Sequence, residues 1–451
     1  MKHTFSFWCL KIGFLSLFIS SGYCLLGPAQ AGKPDLLRQH LESALNAQKI
    51  KDYAKAAEEY QKLVKLLPND AGIYQSLGLV LHLQNKFDEA ISPFQRALTL
   101  DPSLWGSNLM LGIDYFKTNQ FSKAIEPLEK ALELNPELAG VEGHFWLGAT
   151  YMALQQYHKA IPELERRRDQ TPRDIEVLYN LGTAYQQFSI QLTGKLKSLG
   201  DGSAVQDDSA SPAYPGLGRD QLQQLREQME FRLGKSDRDA DALKTLVGVF
   251  SELSSRTLQK IVEIDPGSYR VHMMKGESFE KQEQYGKATE EYRAAYATNP
   301  DVPGIRFAIG SCHWKSRQFE EAAQWLQEEL KSNPHHAIAS YLLGNIYVYR
   351  NKPLLAVPLL QQALAVQPQL NDARRDLGKA YVQLAEYEKA VAEFKRIAEV
   401  EPEDDTVHSL LANAYRKQGN TEMEKAELEL FRRLNQAKLE RAQQRRVQKA
   451  R

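Results

Sequence analysis

Apolar positions recur along most of this chain in steps of three and four, in paired runs of about a dozen residues separated by short polar stretches. Asn371–Pro402 shows the unit clearly. Counting Asn371 as position 1, Leu377, Gly378 and Tyr381 fall at 7, 8 and 11, Tyr387 at 17, Ala390, Phe394 and Ile397 at 20, 24 and 27, and Pro402 at 32. Positions 4, 7, 8 and 11 share one face of a helix, and 20, 24 and 27 share one face of a second. Ala385–Glu386 makes a short turn between them, and proline near 32 ends the second helix. The pattern predicts two antiparallel helices and a stop. Small residues at 8 and 20 suit a close crossing of the two. One hairpin cannot bury its own apolar stripe, so neighbours must stack into a continuous core.

The same spacing returns with a period of 34 residues, the signature of a repeat array. A weaker first copy has Tyr53, Ala56, Tyr60 and Pro68. Leu77 and Gly78, Leu111 and Gly112, and Leu147 and Gly148 mark the second to fourth copies, with two extra residues before the last of these. Gly276, Gly310 and Gly344 mark the sixth to eighth, and Asn371–Pro402 is the ninth. A tenth begins with Leu411 and Tyr415 and then degenerates. Over residues 36–430, apart from one insertion, the chain resembles the tetratricopeptide repeat family. Alanine at position 8 in the first and tenth copies and Pro353 at position 17 of the eighth depart from the family's pattern. The resemblance implies an all-α fold, a superhelical solenoid of antiparallel helix hairpins. It also implies a concave face that binds extended peptides or partner helices.

The fifth copy is split. Its first helix carries Leu178, Leu181, Gly182 and Tyr185, and its second is expected at about Asp241–Ile264. The stretch between, 189–240, reads as a flexible insertion. Its centre, Gly200–Gly218, is rich in Gly, Ser, Pro and Asp, and Arg219–Arg232 is a candidate polar helix. The expected organisation is 1–31 as leader, 36–188 as repeats one to four with the first helix of the fifth, the insertion, 241–423 as the remaining repeats, and 424–451 as a basic capping helix.

The leader changes the picture of where the protein works. Lys2 and His3 precede an apolar run from Ile12 to Leu26 and then Ala29-Gln30-Ala31, the pattern of a secretory signal peptide cleaved after Ala31. The expectation is export, periplasmic or secreted. The alternative is a membrane anchor through residues 5–26. Whole-chain charge is balanced, with 57 basic and 57 acidic residues. Without Lys2 and Lys11 the balance is 55 to 57, and no strongly basic face suggests nucleic acid. Cys312 is the one cysteine outside the leader, so a disulfide within the mature chain is not possible. Residues 432–451 hold eight basic side chains and one acid, which offers membrane contact as a second reading of the tail.

No protease, nucleotide, hydrolase or metal motif stands in the chain, and His335-His336 follows Pro334 at a turn. No cofactor, no metal and no enzymatic activity are expected. The candidate site is then a surface. In the architecture that the resemblance implies, positions 2, 5, 9 and 12 of each first helix line the groove. Candidate peptide-binding residues are Leu79, Leu109, Ile113, Phe116, Phe145 and Met152, then Phe307, Trp314, Tyr341, Asn345, Arg375 and Lys379. The expected function is an exported, non-enzymatic protein-interaction scaffold. The alternative is a membrane-associated assembly or chaperone factor for envelope or secretion machinery.

Overall fold

The computed structural model describes residues 33–199, 214 and 216–450. The leader and most of the Gly200–Gly218 stretch lie outside the described residues. The described residues form helices joined by short turns, with no strand among them. Two compact units divide at Ile264 and Asp265. The first holds α1 (Lys33–Lys49), α2 (Tyr53–Leu66), α3 (Ala71–Leu83), α4 (Phe87–Leu100), α5 (Trp105–Lys117), α6 (Phe121–Leu134), α7 (Pro136–Ala153), α8 (Tyr157–Gln170), α9 (Ile175–Ser198), α10 (Arg219–Lys235) and α11 (Ala240–Ile264). The second holds α12 (Tyr269–Lys281), α13 (Tyr285–Thr298), α14 (Ile305–Lys315), α15 (Phe319–Ser332), α16 (Ala337–Tyr349), α17 (Pro353–Val366), α18 (Asn371–Gln383), α19 (Tyr387–Val400), α20 (Asp405–Gln418) and α21 (Thr421–Ala450). Among the described residues no helix is long and apolar enough to cross a membrane.

Seven of the hairpins close on one contact. The glycine at position 8 lies directly under the large side chain at position 24 of the same repeat. A Cβ at Gly112 would stand 2.5 Å from Leu128 Cγ, one at Gly148 2.7 Å from Leu164, and one at Gly276 2.5 Å from the Tyr292 ring. The backbone of position 20 also comes close, since Ala124 O is 3.2 Å from that same point at Gly112. Small residues at 8 and 20 therefore set the helix separation. In the split repeat, Gly182 meets Leu258 instead. These two are 76 residues apart where the other pairs are 16 apart, so the insertion is 60 residues long.

The corner between the helices is left-handed. Position 15 has φ between 54° and 62° at Lys51, Asn85, Asn119, Gln155, Glu283, Arg317, Asn351 and Ala385, and φ 81° at Gly419. The amide of position 16 then donates back to the carbonyl of position 11, as from Glu386 to Tyr381 at 2.9 Å and from Gln120 to Tyr115 at 2.8 Å. Position 15 of the split repeat is Ser189, and there the helix runs on. Ser189 is buried, and its hydroxyl donates to Val247 O at 3.0 Å. The boundaries expected for a flexible insertion are thus corrected. Residues 189–198 continue α9, Arg219–Lys235 form α10, and Leu222 of α10 is fully buried. Arg226 of α10 reaches Glu165 Oε1 of α8 at 3.1 Å, and Arg256 of α11 donates to the carbonyls of Leu217 and Tyr214.

Two polar pairings recur with the period. Within hairpins, position 4 pairs with the glutamate at 23: His40 with Glu59, His144 with Glu163, His272 with Glu291, His408 with Glu427 and Arg374 with Glu393, at 2.6–2.9 Å. Between hairpins, position 25 pairs with the tyrosine hydroxyl at position 11 of the next copy. Gln95 donates to Tyr115, Gln327 to Tyr347 and Gln361 to Tyr381, while Tyr151 donates to Glu129 and Tyr185 to Glu165. The first pairing ties the two helices of one repeat. The second fixes the register of one repeat on the next.

Gly112→Ala should lower stability by about 1–3 kcal/mol through overpacking against Leu128. Gly194→Ala, in α9 with nothing near its Cβ, should raise it by about 0.5–1 kcal/mol by restricting the unfolded chain. Urea denaturation of the two variants side by side checks both signs. Ala385→Gly should likewise stabilise, by about 0.5–1 kcal/mol, because glycine carries no penalty at positive φ. A lower midpoint for Ala385→Gly would contradict the left-handed corner.

Candidate peptide groove

The first helices α14, α16 and α18 bring several expected site residues together in the second unit. The Trp314 indole N–H donates to Asn345 Oδ1 at 2.9 Å. Asn345 Nδ2 donates to Asp376 Oδ2 at 2.6 Å, and Lys379 Nζ donates to Asp376 Oδ1 at 2.9 Å. These groups stand at positions 12, 9 and 6 of successive repeats. The first two bonds each step forward one repeat and back one helical turn, giving a ladder across three helices, and the third, from Lys379 to Asp376, lies within α18. Asp376 is buried, and both of its oxygens are engaged.

Arg375 extends this cluster toward the C-terminus. Its guanidinium donates to Asp404 at 2.8 Å and to Asp372 at 2.6 Å. Burial works against its charge, and the two carboxylates outweigh that and raise its pKa. Asp404 is the N-cap of α20. Burial pushes its carboxyl up, but hydrogen bonds from Arg375 and the Thr406 amide prevail and hold it below the usual carboxylate range. Tyr341 is half-buried, and burial followed by the charges of Asp376 and Asp372 pushes its phenol up. Phe307 packs on the His336 ring at 4.5 Å. His336 caps α16 by accepting the Ala339 amide on Nδ1, while His335 is exposed. Cys312 is fully buried, and burial followed by the charge of Glu280 pushes its thiol up to about 12.

The first unit is different. Leu79, Leu109 and Ile113 are buried in the core, so their assignment to the groove is corrected. Successive first helices pack directly on one another there, α3 with α5 and α5 with α7, as α14, α16 and α18 do in the second unit, but here Leu79, Leu109 and Ile113 fill the seam. Phe116, Phe145 and Met152 are half-buried against the same core. Phe116 and Phe145 both pack edge-on to Trp146, at 5.2 and 5.4 Å, and the Lys117 ammonium lies 4.7 Å from the Trp146 ring centroid. Trp146, at position 6, is the centre of this cluster and lies off the expected row. Asp376, also at position 6, was missed for the same reason. The signal in both cases is a bulky or charged residue at a position where most copies carry an ordinary helix residue. His82, at position 12 of the second copy, and Asp114 of the third form a buried pair at 2.5 Å.

The ladder thus offers a half-buried indole ring, a side-chain amide and a half-exposed ammonium in one line. An aromatic surface can hold an apolar side chain. An amide can pair with peptide backbone, and an ammonium can meet an acidic group.

Comparison with known proteins agrees with this architecture. One tetratricopeptide repeat model matches residues 41–104, 109–185 and 273–337, and a second matches 347–414. Together they cover more than half of the chain, which belongs to the tetratricopeptide repeat family. Solved structures similar to it include MamA protein, 18% identical, covering 38% of this chain and 94% of that one with a TM-score of 0.36. A second MamA structure, from MSR-1, is 23% identical, covering 38% and 98% with a TM-score of 0.36. YrrB, described as a TPR protein with an unusual peptide-binding site, is 18% identical, covering 39% and 91% with a TM-score of 0.37. No curated protein matches the chain.

The Arg375–Asp404 pair predicts a pH dependence. Asp404 is depressed in the folded chain, so its contribution is present above the unfolded carboxylate pKa of about 3.9 and is lost as pH falls through the folded value. Arg375→Gln should therefore lower stability at neutral pH and make the loss on acidification shallower. Equal acid-denaturation midpoints for the two proteins would contradict this.

Proposed function

We propose that the chain is an exported, non-catalytic scaffold that holds an extended peptide or a helix along the first helices of its second unit. The observation that carries this reading is the ladder from Trp314 through Asn345 and Asp376 to Lys379. It joins polar groups from three successive repeats in one chain of hydrogen bonds. Membership in a repeat family whose members present such surfaces supports a protein or peptide as the partner. Export rests on the leader pattern of residues 1–31. The half-buried Trp314 is the expected anchor, because aromatic side chains in desolvated positions carry most of the energy in such contacts.

A photo-crosslinking residue placed at Tyr341 of the full chain, in cells, should label one or a few proteins, and purification of the labelled peptide gives a ligand for titration. Trp314→Ala should then weaken that ligand by about 30-fold or more, equivalent to about 2 kcal/mol. Leu109→Ala should cost about 2–5 kcal/mol of stability and leave the affinity unchanged. Undiminished binding by folded Trp314→Ala would remove the ladder as the site.

A further inference from the structure

The second helix α17 differs from every other second helix of the array. Its fourteen residues, PLLAVPLLQQALAV, include no Asp, Glu, Lys or Arg, whereas each of the others carries several. One side of α17 is spent on the core through Ala356, Leu360 and Ala363. The other side is open. Leu354 is 77% exposed, Leu355 51% and Val366 46%, and Tyr349 at the end of α16 adds a ring that is 73% exposed. We propose that this face is a self-association surface, on which α17 of one copy packs against α17 of a second.

Three features favour a second copy as the occupant. A two-fold axis sets each residue against its own equivalent, so a charged face would repel itself and an uncharged apolar one does not. A two-fold running along α17 also lays α15 of one copy over α19 of the other. Several exposed charges of α15 and α19 are paired within the chain, Glu320 with Arg350, Glu328 with Lys331, Lys389 with Glu386 and Arg396 with Glu393, which leaves Glu321 on α15 to face Lys395 on α19. Leu354, Leu355, Val366 and Tyr349 together would bury on the order of 1,000 Å² across the pair, at the lower edge of what a specific interface needs. Lipid is the less suitable occupant, because the helix has no basic residue to meet anionic headgroups. Apart from Tyr349 at the C-terminal end of α16, the face lies on α17, none of whose side chains takes part in the ladder.

Sedimentation equilibrium of the full chain should show a mass that rises with concentration from monomer toward dimer. Leu354→Glu and Leu354→Lys should each remain monomeric, with unchanged helical content. An equimolar mixture of the two should recover the dimer, because the axis brings opposite charges together. A constant monomer mass for the native chain up to about 100 µM, a dimer that persists in both variants, or a mixture that stays monomeric would each overturn the proposal. Flotation with phosphatidylcholine–phosphatidylglycerol vesicles completes the test. Binding by a monomeric native chain that Leu354→Glu abolishes would assign the face to lipid and overturn self-association.

Discussion

Two helices can cross closely only where at least one of them carries no side chain at the crossing. This chain meets that condition by removing the side chain from one partner and enlarging it on the other. Glycine at position 8 receives Phe94, Leu128, Leu164, Tyr292, Leu326, Leu360 or Phe394 from position 24 of its own repeat. The helix separation follows, and with it the reach of the 4–23 pairs. The placement of one hairpin on the next follows as well, through the tyrosine at position 11. Van der Waals contact, not polar bonding, sets this geometry, since a single methyl at the crossing overlaps the neighbour outright. The polar pairs then select among the close arrangements that packing allows.

The left-handed corner is the second constraint. It reverses the chain in two residues and leaves the first helix capped by a bond from position 16 to position 11. Residues other than glycine occupy it in eight copies and glycine in the tenth, the former at some cost in backbone energy. The split repeat shows what happens without it. Ser189 stays helical, its hydroxyl bonds into α11, and the helix continues until Ser198. The additional chain returns as α10, which seats Leu222 in the core and binds Glu165, the residue that also accepts the Tyr185 hydroxyl. The insertion is thus built into the inter-repeat pairing and is no mere detour from it.

The groove divides by the residues that stand between first helices. Successive first helices pack on each other in both units, and in the first unit Leu79, Leu109 and Ile113 fill the seam. In the second unit positions 5, 9 and 12 carry Tyr341, Asn345, Arg375, Lys379 and Trp314, and polar groups make the equivalent connections. Identical positions in the repeat therefore act as core in one unit and as candidate site in the other.

The sequence by itself determined the period, the hairpin, the need for small residues at the crossing, the length of the insertion and the long final helix. All of these follow from periodicities of three and four residues and from proline and glycine, whose effects are local. The tertiary structure decided which members of the groove row reach the surface, that Trp146 and Asp376 organise their clusters from position 6, and that the insertion packs. It also decided that α17 keeps an open apolar face. None of these follows from spacing along one helix. Each depends on how near a neighbouring helix comes, and that distance is set by side chains one repeat away.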